Sequence, residues 1–258
     1  MENDMRDTLS YMASGAYELG KKNTRGVDRV AAANKMAGKT GYHVDPRYSD
    51  ANITTYISDT DPTKVAIAHR GTDVTGKKGL RDVQSDLQFA LGVGRGYEDR
   101  FKRRQKRTED IVKALEKEKG VSELHMTGHS LGGGTMNYSI ANSPYLQQRL
   151  TSAHSFNAAA NPVFYNETNV DKKTKDILDQ KVTHHRIEKD AVSAGFLTKT
   201  PYGKVQTYKI DQPKKKRGVF RRIVDRYPIM RLKKMTGDSL QAHMMDNFTA
   251  DPMALQSV

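Results

Sequence analysis

The chain has 258 residues, with 43 Lys and Arg against 30 Asp and Glu, a formal charge of +13, and neither cysteine nor tryptophan. The lack of cysteine excludes a disulfide scaffold, an iron–sulfur cluster, a cysteine-ligated zinc and a thiol nucleophile. Apolar residues make up 36%, no run reaches the about 18–20 apolar residues of a membrane span, and acids in the opening stretch (Glu2, Asp4, Asp7) argue against a secretory signal.

The expectation is therefore an intracellular chain, soluble or peripheral to a membrane, forming one domain over residues 1–258 with an N-terminal helical extension over 1–50. Met5, Leu9, Met12, Ala16 and Leu19 recur at spacings of three or four, the stripe of an amphipathic packing helix. Whether the first fifty residues pack on the core or regulate access to it stays open. From Gly26 to Asp50 the sequence reads as Gly- and Lys-containing connection. Ile53–Ser58 and Val65–Ala68, separated by Asp59-Thr60-Asp61-Pro62, read as a hairpin. Gly94–Gly120 reads as a helix with a basic middle that forms a solvated face. Leu124–Thr127, Thr151–Phe156, Val182–Ile187 and Val205–Ile210 read as strands, with helices over about Gly133–Asn142 and Lys173–Lys181. Strands alternating with helices imply crossover connections, hence an α/β fold with a mostly parallel central sheet flanked by helices.

Thr127-Gly128-His129-Ser130-Leu131-Gly132-Gly133 holds a G-x-S-x-G pattern directly after an expected strand and before an expected helix. A nucleophile on so sharp a turn takes a strained backbone, and small residues on either side keep neighbouring backbone from clashing. Gly128, His129 and Gly132 make up this elbow around Ser130, and the Leu131 N–H, at a helix amino terminus, is placed to bind a developing oxyanion. The alternative is a plain glycine-rich connection.

A serine hydroxyl needs an imidazole to take its proton and a carboxylate to orient that imidazole. In α/β-hydrolases the chain order is serine, acid, histidine. Asp171, Asp176, Asp179, Asp190, Asp211, Asp225 and Asp238 all follow Ser130. Asp190 has the best position, a short turn beyond the Val182–Ile187 strand. His154, His184 and His185 lie within expected strands and read as structural or surface residues; His243 alone follows Asp190. The candidate triad is Ser130, Asp190 and His243. It calls for no metal and no cofactor.

Several stations in order resemble the class 3 lipase family, the fungal-type triacylglycerol lipases and their plant and bacterial relatives. Ala68-His69-Arg70-Gly71-Thr72 is similar to the family's Phe-Arg-Gly-Thr/Ser motif, and Asp82-Val83-Gln84-Ser85-Asp86-Leu87 to its Asp-Trp-x-x-Asp-Leu segment. Val93-Gly94-Arg95-Gly96-Tyr97 resembles Val-His-x-Gly-Phe, with Gly94 in place of the histidine. The Thr-Gly-His-Ser-Leu-Gly-Gly motif stands unaltered at Thr127–Gly133, Ser155–Pro162 resembles the strand ending in Thr-Phe-Gly-Ser-Pro, Arg186–Val192 the acid segment, and His243–Phe248 the closing His-x-x-x-x-Tyr. The resemblance implies an α/β-hydrolase fold and a role for Thr72, beside Leu131, in an oxyanion hole. It also implies a lid over roughly Asp73–Leu91, where Leu80, Val83 and Leu87 share a helical face that a core helix would show equally.

Pro213–Lys234 carries ten Lys and Arg against Asp225 alone, a local charge of +9 that leaves +4 for the rest of the chain. This insertion over 213–234 reads either as a solvated loop, as a surface that meets anionic membrane through Lys214, Lys215, Lys216, Arg217, Arg221 and Arg222, or as a nuclear-targeting or nucleic-acid-binding tract. The resulting expectation is a serine carboxylic ester hydrolase acting on lipids, a triacylglycerol lipase or phospholipase A-type enzyme. Two alternatives are a catalytically weak basic protein on a hydrolase scaffold that holds nucleic acid or an acidic partner, and the same chemistry directed at a soluble ester, amide or acyl acceptor.

Overall fold

The computed structural model describes residues 2–21, 25–72, 97–159, 170–188, 190, 193, 202–210, 246–249 and 255–257. Among the described residues the strands are β1 (Tyr42–Val44), β2 (Ile53–Ser58), β3 (Lys64–His69), β4 (Glu123–His129), β5 (Leu150–Phe156), β6 (Val182–Ile187), β7 (Lys204–Ile210) and β8 (Leu255–Ser257). They form one sheet whose strands lie side by side in chain order. The pairs from β3 through β7 are parallel, while β1–β2, β2–β3 and β7–β8 are antiparallel. The helices are α1 (Glu2–Leu19), α2 (Gly26–Ala37), α3 (Tyr97–Lys119), α4 (Leu131–Ala141), α5 (Pro144–Arg149), α6 (Lys172–Lys181) and α7 (Asp246–Thr249). No helix among the described residues is long and apolar enough to cross a membrane.

The hairpin turn forms because Asp61 Oδ1 accepts from both the N–H and the hydroxyl of Thr63, which reverses the chain with Pro62 in the bend. Strand periodicity then assigns the two faces of the sheet. On β3, Val65 and Ile67 point into one core with Ile111, Val112 and Leu115 of α3, Met136 and Ile140 of α4, and Leu178 of α6. Ala66 and Ala68 point into the other, with Leu9, Met12, Ala13 and Ala16 of α1. Their small side chains let α1 lie close to the sheet, and polar groups of the sheet reach its backbone: the Tyr56 hydroxyl donates to the Met12 carbonyl and the Thr127 hydroxyl to the Leu9 carbonyl. The opening helix is thus packed on the sheet through the face its amphipathic stripe marked.

The segment read as a connection from Gly26 to Asp50 instead holds α2, β1 and a 3-10 turn at Pro46–Tyr48. The stripe that packs α2 is Val30, Ala33 and Ala37, and alanine carries so little apolar signal that the helical spacing does not stand out. Helix α4 begins at Leu131 rather than near Gly133, because tight packing of three successive glycines overrides their poor helix propensity. At the far end of α3, Gly120 takes a positive φ of 67° and closes the helix with its N–H on the Glu116 carbonyl.

Histidines on adjacent strands are buried in the sheet. Tyr208 donates its hydroxyl to Gln206, so it accepts from His185 Nδ1; His185 Nε2 in turn accepts from His154 Nδ1, each bond near 2.8 Å. His184 donates from Nε2 to the Tyr202 carbonyl and accepts at Nδ1 from Ser155. The acceptor nitrogens of His185 and His184 require neutral rings, and burial pushes His154 and His184 down to about 4 and His185 well below the ordinary histidine range. An unfolded chain protonates these rings near pH 6.5, so their stability contribution is complete above that pH and declines as pH falls below it, by about 1.4 kcal/mol per pH unit for each ring held neutral. Urea unfolding at pH 7.5 and 5.5 should therefore show a clearly lower midpoint at pH 5.5.

Candidate active site

The parallel strands β3, β4, β5 and β6 end on one edge of the sheet, where α/β folds bind ligands. Ser130 stands there between β4 and α4 with φ 55° and ψ −126°. A non-glycine residue in that region costs about 1–3 kcal/mol and persists only where its surroundings hold it. They do: the Ser130 N–H donates to the Phe156 carbonyl, and the Ser130 carbonyl accepts from Gly134 and Ala159. Gly134 makes the first helical bond of α4, so the N–H groups of Leu131, Gly132 and Gly133 have no acceptor within the helix and face its amino-terminal end.

Both flanking glycines are required by close approach. A β-carbon on Gly128 would lie 2.5 Å from the Gly132 carbonyl carbon, and one on Gly132 would lie 2.1 Å from the His69 carbonyl oxygen and 2.8 Å from the Gly71 nitrogen. The first turn of α4 therefore abuts the backbone that leaves β3 and carries Thr72. From the other side α1 contributes Tyr17, whose hydroxyl is 2.7 Å from His129 Nδ1. From α3, the buried Arg104 donates to the Arg70 carbonyl and the Asn52 amide oxygen. His69 beneath this turn is held neutral, pushed down to about 3 by burial and by the charge of Arg104.

The acid side is built two strands away. Asn157, fully buried at the end of β5, has φ 41°; its N–H donates to the His185 carbonyl and its amide oxygen accepts from the Ile187 N–H. That pins the end of β6, from which Asp190 follows by a turn whose N–H returns to the Ile187 carbonyl. Asp190 is fully buried, and its carboxylate accepts from the Ser193 N–H at 3.0 Å. Burial lowers the pKa of nearby Arg186, against the opposing pull of the Asp190 and Glu188 charges.

The structure thus brings Gly128, His129, Ser130, Leu131 and Gly132 against the Thr72 turn and sets Asp190 on the same edge. His243, the lid segment Asp73–Leu91, Gly94 and the basic residues Lys214, Lys215, Lys216, Arg217, Arg221 and Arg222 lie outside the described residues. Phe248 of α7, five residues after His243 in the chain, is buried against Phe156 and Tyr208, and its carbonyl accepts from Ser10. His154, His184 and His185 are buried within the sheet, so of the two readings, structural or surface, the surface one does not hold. Tyr17, Arg104 and Asn157 did not emerge from the sequence. Asparagine's tolerance of positive φ was the only local signal among them, because the roles of the other two depend on contacts far apart in the chain.

Neither a family model nor a curated sequence matches the chain. Solved structures do. A mutant of MDLA from Penicillium cyclopium is 17% identical with a TM-score of 0.50, covering 96% of this chain and 97% of that one. Lipase II from Rhizopus niveus is 15% identical over 82% of this chain and 81% of its own, also at 0.50. A deletion mutant of the Rhizomucor miehei lipase propeptide complex is 16% identical, covering 82% and 67%, again at 0.50. At identities this low the likeness shows the fold alone, and that is the α/β-hydrolase fold.

Gly132→Ala should cost about 1–3 kcal/mol, since only backbone is available to move away from the added carbon. Gly26→Ala, where nothing lies within 4 Å of the new carbon, should change stability by less than about 0.5 kcal/mol. Parallel urea titrations of the two variants measure the difference.

Proposed function

We propose that the chain is a serine carboxylic ester hydrolase acting on lipid esters through Ser130, Asp190 and His243. The observation that carries this reading is the strained Ser130 backbone, held between two glycines that admit no β-carbon, at the strand end where α4 opens. Strain maintained at that cost is characteristic of functional turns. The lipases of similar fold from Rhizopus and Rhizomucor supply the substrate class.

The Ser130 hydroxyl oxygen attacks the acyl carbonyl carbon while His243 takes its proton. The carbonyl oxygen becomes an oxyanion, held by the N–H groups of Leu131 and Thr72. As the tetrahedral intermediate collapses, the bond to the alcohol breaks and His243 gives its proton to the leaving oxygen. Water, deprotonated by His243, then attacks the acyl-serine, releasing the carboxylic acid and restoring the serine. Asp190 orients the imidazole throughout. Strand β5 separates β4 from β6, about 10 Å at ordinary strand spacing, which accommodates an imidazole with a hydrogen bond on each side. Three residues of chain, about 10 Å when extended, reach from Asp246 of α7 to His243. The basic stretch containing Lys214, Lys215, Lys216, Arg217, Arg221 and Arg222 is assigned to contact with anionic headgroups, at on the order of 1 kcal/mol per basic residue near such a surface.

The wild-type chain should be labelled at Ser130 by a fluorophosphonate, mapped by mass spectrometry, and should hydrolyse 4-nitrophenyl esters. Ser130→Ala should unfold at the wild-type urea concentration yet lose at least about 10³-fold in turnover. An unlabelled wild type that binds nucleic acid in a salt-sensitive way, unchanged by Ser130→Ala, would replace this reading with that of a basic binding protein.

A further inference from the structure

The two halves of the proposed oxyanion hole come from chain segments almost sixty residues apart, and one side chain touches the support of both. Arg104 of α3 is 8% exposed. Its Nη1 donates to the Arg70 carbonyl at 3.2 Å and to the Thr135 hydroxyl at 3.4 Å, while Nη2 donates to the Asn52 amide oxygen at 2.7 Å. Each acceptor leads to the site. Arg70 lies two residues before Thr72, and its own N–H is bound by the Asn52 carbonyl, so Arg104 and Asn52 hold that residue from both ends. The Thr135 hydroxyl donates to the Leu131 carbonyl at 2.8 Å, tying the guanidinium to the first turn of α4. Arg104, Phe101, Leu131 and Thr135 line one crevice, so the guanidinium sits at the start of that helix.

We propose that Arg104 is the positioning residue of the oxyanion hole, a role that rests on the reading of Ser130 as an acyl-transfer nucleophile. It sets the separation between the Thr72 turn and the Leu131 turn. The glycine contact at residue 132 limits how near the two backbones come; Arg104 keeps them from moving apart. A planar fork with several N–H donors reaches three acceptors on three separate chain segments at once. A lysine ammonium retains the charge but cannot span those acceptors in one plane, so the role requires arginine. Donors misplaced by a fraction of an ångström bind the ground-state carbonyl nearly as well and the oxyanion much less well, which lowers kcat and leaves KM almost unchanged.

The test uses the full chain with a soluble 4-nitrophenyl ester and a fluorophosphonate, whose phosphoryl oxygen occupies the same hole. Arg104→Ala should lower kcat by about 10–10²-fold with KM within about twofold, and slow phosphonylation of Ser130 in parallel. Added ethylguanidinium at concentrations too low to denature should recover at least about fivefold of that loss, with no effect on the wild type. Arg104→Lys should stay down by about tenfold, and Arg107→Gln, a change on the exposed face of the same helix, should keep wild-type turnover. Should Arg104→Ala fail to fold, Arg104→Lys and Asn52→Ala, which removes one arm of the clamp, carry the comparison. Folded variants within twofold of wild-type kcat and phosphonylation rate, or a loss that lies in KM and is not restored by ethylguanidinium, would overturn the assignment to Arg104 alone. A wild type that resists phosphonylation would overturn the reading of Ser130 and this role with it.

Discussion

The space where a β-carbon of Gly132 would lie is already filled by the carbonyl oxygen of His69, 2.1 Å away. The first turn of α4 can therefore press against the backbone leaving β3, and that contact organises the carboxyl edge of the sheet. It sets the depth at which α4 enters, and so the angle through which the chain turns at Ser130 and the strain stored there. It also places the N–H groups that open α4 beside the segment carrying Thr72. A side chain of any size at residue 132 would separate these parts, however well the rest of the sheet formed.

Around that contact the molecule uses polar side chains from distant elements. Tyr17 reaches His129 from α1, Arg104 reaches Arg70 and Asn52 from α3, and Asn157 ties the end of β5 to the end of β6 ahead of Asp190. The Asn157 bond is buried and the others partly so, and the more a bond is buried the more a missing partner costs relative to what a good partner gains. The four strand ends are thereby fixed relative to one another by interactions that are expensive to break, which suits an edge that must hold a strained residue. The histidines inside the sheet follow the same logic: their tautomers are complementary only while the rings are neutral, so the packing that orders them also makes the fold sensitive to acid.

Much of this was legible in the chain itself. The strand, the glycine-flanked serine and the helix after it follow from local rules: β-prone residues end at Thr127-Gly128, and small residues follow where the turn is tightest. The hairpin before it was legible for the same reason, since Asp61 and Pro62 make a turn by themselves. Helix α2 was not, because the alanines that pack it have almost no hydrophobic contrast and its stability comes from lying against α1 and β1. The charge of +13 was misleading as a property of the whole molecule: most of it belongs to the 213–234 segment, whereas basic residues of α3 are divided between surface ion pairs, such as Lys106 with Asp110, and the buried Arg104.

The sequence by itself determined which residue types stand in the nucleophile turn and the order in which serine, acid and histidine candidates occur, because both are properties of a contiguous chain. Tertiary structure alone decided that the helix of residues 2–19 covers the sheet and that a guanidinium from α3 joins the two turns beside Ser130. It likewise decided that Asn157 takes a positive φ to hold the strand bearing Asp190. Each of these depends on groups tens of residues apart meeting within about 3 Å, and no local periodicity or propensity encodes which distant partners will meet.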